Sequence, residues 1–200
     1  MRLHLASGNL HKAEEFVALA EGSKVDVEIV SARQMGGMPE VVEDTGTFVG
    51  NASKKARALH AKLPKRSWVL ADDSGLEVDA LGGAPGVESA YYAGPKGDSA
   101  ANLTKLVAVM RGVKRNQRNA RFVCVLLLID ADGREHAFEG SCEGRLLDEP
   151  IGGAGFGYDP LFVPDGEEVT FAQLSDAGKN AISHRARAWA KLAVWLRALP

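Results

Sequence analysis

An apolar run, Trp68-Val69-Leu70-Ala71, leads directly into two adjacent carboxylates, Asp72 and Asp73. The run predicts a buried strand, and Ser74-Gly75 marks the point where that strand gives way. Burying two charges without partners is costly, so the pair belongs at a sheet edge facing a polar cleft. Carboxylate oxygens there suit a hard divalent cation and can polarise a water molecule. The plainer alternative is that both acids cap a turn. An alternating segment follows, with Leu76, Val78 and Ala80 against Glu77 and Asp79, and then the turn Gly82-Gly83-Ala84-Pro85-Gly86.

Upstream, Leu3 and Leu5 alternate with polar residues and predict a strand over residues 2–6. It meets Ser7-Gly8-Asn9, after which Ala13, Phe16, Val17 and Ala20 fall on one helical face. Strand, small-residue turn and helix N-terminus form an anion site, because backbone N–H groups and the positive helix end converge there. Lys12 adds a full charge in the first turn. The spacing is not that of a Walker loop, and a capped helix with a solvated lysine is the alternative. Val25, Val27 and Ile29 predict a second strand, parallel to the first. A loop over 34–46 carries Glu40, Glu43 and Asp44, and a helix over 47–62 buries Phe48, Ala52, Ala56 and Leu59. Lys54 and Lys55 lie within that helix.

Downstream, a helix over 99–110 is capped by Asp98 or Ser99 and buries Leu103, Leu106, Val107 and Met110. The basic stretch 111–119 reads as a surface loop. Residues 120–130 are the most apolar strand, and Asp132-Gly133 turns the chain into a return strand near 135–141, with another short strand at 145–147. In 152–163, four glycines surround Phe156 and Tyr158, and a short strand follows over 161–163. Exposed aromatics between glycines can admit a planar base, whereas an ordinary turn would use them as core. Lys179, Ser183, His184 and Arg185 precede an amphipathic C-terminal helix.

Two hundred residues, 46% hydrophobic and 25% charged, suffice for one substantial core or two small lobes sharing a sheet. A net charge of −2 offers no broad basic surface to nucleic acid or an anionic membrane. The longest apolar run, 122–129, is too short to span a bilayer. The chain opens without signal-peptide order, and Cys124 and Cys142 lack metal-ligand spacing, so a reducing cytoplasm is the expected setting. An anion site with a lysine, acids suited to Mg²⁺, an aromatic glycine-rich loop and a late Lys/His/Arg group are together the parts that hold a nucleoside triphosphate.

The motifs ASGNLHKAEEF (6–16), EDTGTFVGNASKKA (43–56), ADDSGLEVDALGGAPGVESAYYAG (71–94), GFGYDPLFVPDG (155–166) and LSDAGKNAISHRARA (174–188) occur in one order over nearly the whole chain. The chain thereby closely resembles the Ham1-like inosine triphosphatase family. That resemblance implies a single α/β domain over residues 1–200, with an elongated central mixed sheet flanked by helices and two lobes about a deep cleft. It implies a homodimer and Mg²⁺-dependent hydrolysis of dITP, ITP and XTP between the α- and β-phosphates. By position, Ser7, Gly8, Asn9, Leu10, His11 and Lys12 would bind the triphosphate, with Lys55 nearby. Asp73 would accept the proton of the attacking water and ligate Mg²⁺, with Asp72 beside it and Glu43 as second metal ligand. Ser74 would touch the substrate. Phe156, Gly157, Tyr158 and Asp159 would form the base pocket with Lys179, His184 and Arg185.

Lys179 is expected, with Lys12 and Lys55, to offset phosphate charge. Donors near His184 and Arg185 would read the 6-oxo group that adenine lacks, a contact able to discriminate by roughly 10⁴. Guanine shares that group, so its rejection must rest on the 2-amino group. Three positions depart from the family pattern: Tyr91 where an arginine is usual, Gln173 where an acid is common, and Gly50, which weakens its helix. The alternatives are a non-catalytic nucleotide sensor and a pyrophosphatase for modified nucleotides on the related Maf-like fold; FGYDP followed by SHR favours the purine reading.

Overall fold

The computed structural model describes residues 1–199. Six strands form one sheet, ordered β2-β1-β3-β4-β5-β6. They are β1 (Arg2–Leu5), β2 (Glu28–Ser31), β3 (Trp68–Val78), β4 (Asn119–Ile129), β5 (Glu135–Leu146) and β6 (Phe162–Pro164). The helices are α1 (Leu10–Gly22), α2 (Phe48–His60), α3 (Ser99–Val109), α4 (Asp176–Ile182) and α5 (His184–Arg197). The sheet is mixed: β1 runs parallel to both β2 and β3, whereas β5 and β6 are antiparallel. No helix among the described residues is long and apolar enough to cross a membrane.

The chain divides into two compact units. The first takes Met1–Asp73, Cys124–Gly140 and the chain from Arg185 onward. Strand alternation gives its sheet two apolar faces. Leu3, Leu5, Leu70, Leu126 and Leu128 pack with Phe16 of α1 and Trp189 and Leu192 of α5. Val69, Ala71, Leu127 and Ile129 point the other way and pack with Ala52, Ala56 and Leu59 of α2. The second unit, Ser74–Val123 with Ser141–His184, is built around Leu76, Leu106, Met110, Phe122, Tyr158, Phe162 and Phe171.

Several expectations change. On α1 the buried set is Phe16, Leu19 and Ala20, while Val17 is exposed, so the apolar stripe turns one step further than the pattern placed it. Phe48 is only half buried, since it opens α2 rather than facing its core. Ala80 is exposed because β3 ends at Val78 and a tight turn follows. The two strands expected over 135–147 are one twelve-residue strand, β5. Arg118 in the basic stretch is buried, its guanidinium donating to the carbonyls of Val113, Leu147 and Met110.

Candidate active site

Asp72 and Asp73 lie within β3, the third strand of the six, not at a sheet edge. The expected strand end is absent because the chain stays extended through Gly75 to Val78. What ends there is the neighbour. β1 pairs with β3 only from Trp68 to Leu70, and the Ala6 N–H donates to the Leu70 carbonyl at 2.7 Å. The two acids therefore follow the carboxyl end of β1, where open parallel sheets place their ligand crevices.

Successive strand residues point to opposite faces, and this separates the two acids. Asp72 shares the Leu70 face, covered by α1 and α5. Ser7 and Asn9 build the entry to α1: the Asn9 N–H donates to Ser7 Oγ, and Asn9 Oδ1 accepts from the Lys12 N–H, each at 3.2 Å. That cap sets Lys12 in the first turn, with Nζ 3.3 Å from Asp72 Oδ1. From α5, Arg185 Nε donates to Asp72 Oδ2 at 2.8 Å, and its Nη1 donates to Glu15 Oε2 at 2.9 Å. Burial alone would raise the Asp72 pKa, but Lys12 and Arg185 outweigh it and hold the carboxyl well below the usual range. Asp72 therefore stays ionised outside strong acid. Burial lowers the pKa of Lys12, against the attraction of Asp72 and with repulsion from Arg185 and Lys55 added.

Asp73 shares the Ala71 face, covered by α2. Thr47 caps that helix by accepting from the Gly50 N–H at 3.2 Å. Gly50 has no room for a side chain, because a Cβ would strike the Thr45 hydroxyl. The glycine that departs from the family pattern thus fits a close approach. Thr45 also bonds Asn51 Oδ1 through its N–H and hydroxyl, at 3.2 and 2.8 Å, anchoring the loop that carries Glu43. Lys55 Nζ then bridges Asp73 Oδ1 at 2.6 Å and Glu43 Oε2 at 2.9 Å. The adjacent pair, Lys54 and Asp44, meets on the exposed side at 2.5 Å. Asp73 Oδ2 is buried without a hydrogen-bond partner. Burial pushes the Asp73 pKa up to about 6 against the pull of Lys55 and Lys12, with Glu43 adding repulsion. Burial works against the Lys55 charge too, but Asp73 and Glu43 outweigh it and raise its pKa.

Of the other expected residues, Phe156, Gly157, Tyr158, Asp159, Lys179 and His184 lie in the second unit, which opens with the half-buried Ser74. Tyr158 takes the core alternative: its hydroxyl donates to the Ser89 carbonyl at 2.8 Å, and burial raises its pKa. Phe156 is half buried, and Gly157 has a left-handed φ of +64°. Lys179, expected both to join the base pocket and to offset phosphate charge, donates to Asp159 Oδ2 at 2.8 Å with both side chains buried. The His184 ring stacks on Phe122 at 4.9 Å. Leu10 and His11 are exposed, and so are Gly8 and Asn9. Tyr91 is exposed, its ring against Gly97. Gln173 accepts from the Thr170 N–H and hydroxyl, which gives this departure a capping role.

A model of the Ham1 family matches residues 3–195. The chain belongs to the Ham1 family. It is 65% identical to a dITP/XTP pyrophosphatase of Opitutus terrae over 98% of this chain and 99% of the relative. It is 47% identical to one of Desulforamulus reducens over 96% and 93%. The Ham1 protein of Coxiella burnetii covers both chains completely, with a TM-score of 0.85 and 35% identity. A dITP/XTP pyrophosphatase structure from Mycobacterium abscessus gives a TM-score of 0.75 and 41% identity, over 96% of this chain and 98% of that one. The Ham1 α/β architecture is thus shared along the whole chain.

One residue of this Ham1 site escaped the sequence reading. Glu15 completes the Lys12–Asp72–Arg185 group, and its signal was its place three residues after Lys12 on one helix face.

As for a metal, no group of three or more His, Cys, Asp or Glu side chains stands ready to hold one among the described residues. Asp73 and Glu43 nevertheless fit Mg²⁺. Mg²⁺ commonly takes one or two carboxylates and completes its shell with water and phosphate, and Asp73 Oδ2 is a buried, unsatisfied donor atom of the right kind.

Proposed function

We propose that this Ham1-family chain is a hydrolase that converts dITP, ITP and XTP to the monophosphate and pyrophosphate with Mg²⁺, clearing deaminated purines from the nucleotide pool. The relatives named dITP/XTP pyrophosphatase support the substrate class. The observation that carries the chemistry is Asp73, a buried carboxylate with one oxygen unpartnered and a pKa raised to about 6. A general base works best when its pKa lies near the working pH, so this group is suited to accept a proton from water. The water oxygen attacks the α-phosphorus, the bond from that phosphorus to the bridging oxygen of pyrophosphate breaks, and the proton passes to Asp73. Lys12 and Lys55 offset negative charge as it moves onto the leaving pyrophosphate. Asp73 and Glu43 would hold Mg²⁺, which when bound supplies charge neutralisation on the phosphate oxygens.

Asp72 has a different part: it keeps Lys12 and Arg185 in place. With the Arg185 guanidinium engaged by Asp72 and Glu15, reading of the 6-oxo group falls to the backbone at the start of α5. The enzyme acts as a homodimer, checked by light scattering on the purified protein, in a cytoplasmic setting. The deciding experiment is pyrophosphate release with Mg²⁺ from ITP, XTP, GTP and ATP. Fast release from ITP and XTP alone is expected. Comparable turnover of ATP and ITP would overturn the base selectivity, and binding of ITP without release would make the protein a sensor.

A further inference from the structure

Asp159 Oδ2 is a shared atom. It accepts from the Phe156 N–H at 2.9 Å and from Lys179 Nζ at 2.8 Å. It also lies so close to Gly155, whose φ is +73°, that a Cβ there would strike it. The ammonium of Lys179 sits over the Phe156 ring, 4.9 Å from its centroid, and 5.8 Å from that of Phe171. One ion pair thereby touches both the backbone and the ring of Phe156. Both charged side chains are buried, at 7% and 4% exposure for Lys179 and Asp159, so each requires the other. The loop around them is tied down as well. The Ala172 N–H donates to the Asp159 carbonyl, Ala154 N–H donates to the Ala172 carbonyl, and Gly152 leaves no space for a Cβ against Ala172.

We propose that Lys179 and Asp159 form a latch that sets the plane of the Phe156 ring, making Lys179 a positioning residue for the nucleobase and not a phosphate ligand. The inference rests on the purine triphosphatase reading for its consequence, but not for its geometry. A lysine over a ring face favours one ring orientation, since cation–π attraction is strongest above the face and grows where water is excluded. The carboxylate between them holds the peptide that carries the ring. Loss of the latch frees Phe156 and weakens binding of a base, while leaving the phosphate contacts untouched.

The test uses Lys179→Met, Lys179→Arg, Phe156→Ala, the double variant Lys179→Met/Phe156→Ala and the charge-neutral pair Lys179→Met/Asp159→Asn, which spares the fold an unpaired buried carboxylate. In Lys179→Met and in the neutral pair, KM for ITP should rise about tenfold, the scale of one lost buried contact, with inhibition by inorganic tripolyphosphate changed less than about twofold. The double variant should be no worse than Phe156→Ala, and Lys179→Arg should recover most of the affinity. Hydrogen exchange at the Phe156 amide should quicken in Lys179→Met. Equal weakening of tripolyphosphate and ITP, additive with Phe156→Ala, would overturn the latch and make Lys179 a phosphate ligand. An unchanged Phe156 amide would overturn it too. Absent turnover of ITP by the wild type with a quickened Phe156 amide in the variant would instead strike the functional reading and leave the latch standing.

Discussion

Two faces of one strand carry adjacent acids and treat them in opposite ways. On the face covered by α1 and α5, Asp72 has both oxygens engaged, by Lys12 and Arg185, and Glu15 accepts from Nη1 of the arginine. On the face covered by α2, Asp73 has one oxygen engaged by Lys55 and the other buried without a partner. The first carboxylate is held ionised, while the second is pushed toward neutrality. The lesson is that a saturated buried charge organises its neighbours, whereas an unsaturated one is available for chemistry or for a cation. Asp159 in the second unit takes both its bonds, from Lys179 and the Phe156 amide, on one oxygen, Oδ2.

The largest effect that contrast predicts is on turnover. Asp73→Asn should cut pyrophosphate release from ITP by about 10³-fold or more, the range of a lost general base, while the melting temperature holds or rises. A folded, fully active Asp73→Asn protein would break the distinction outright.

Asp72→Asn should do the reverse in kind. It leaves Lys12 and Arg185 buried beside an amide, and removing one partner of a buried ionic group costs about 3–5 kcal/mol. Urea unfolding should register that loss, together with weaker binding of inorganic tripolyphosphate through a displaced Lys12. If Asp72→Asn unfolds no more readily than wild type, the view of Asp72 as an organiser fails.

The pH dependence sharpens the same point. Because Asp73 titrates near 6 in the folded protein, kcat/KM should fall as pH drops through about 6. Raising Mg²⁺ should move that acid limb lower, since a cation at the carboxylate opposes its proton. Stability should respond with opposite signs. Asp73 holds its proton more tightly folded than unfolded, so its contribution weakens as pH rises from its ordinary 3.8 toward 6. Asp72 holds its proton more weakly folded, so its contribution is present above the ordinary carboxylate range and lost only in strong acid. Unfolding curves of Asp73→Asn and wild type across pH 4–7 should therefore converge on the acid side.

The smallest change expected is for Glu15→Gln, which keeps a hydrogen-bond acceptor for Arg185 and removes a charge. A loss of about 1 kcal/mol in stability is expected, with a raised KM and little change in kcat. A large fall in kcat with unchanged KM would place Glu15 in the chemistry, and the division between the two faces would need redrawing.

Much of the fold was legible in the sequence alone. The strand–turn–helix at the start rests on local signals, alternation at Leu3 and Leu5 and the Asn9 cap, and these need no distant partner. The apolar run of β4 and the cap at Asp98 are of the same kind. Even the separation of the two acids was implicit, since neighbours in a strand face apart. What obscured it was the glycine after Ser74, which suggested a strand end and so a shared site.

The ordered motifs by themselves carried the resemblance to the family, and local periodicity and composition the α/β class and the residues that bear charge. Only the tertiary structure decided which charges are satisfied. Glu15 and Arg185 are 170 positions apart, and Lys55 and Asp73 are 18 apart. The Tyr158 hydroxyl finds its acceptor at Ser89, 69 residues away. Whether a buried carboxylate organises or reacts depends on the partners it meets across such separations. Pair energies in a low-dielectric interior are set by distances of a few ångströms, which no local pattern in the chain encodes.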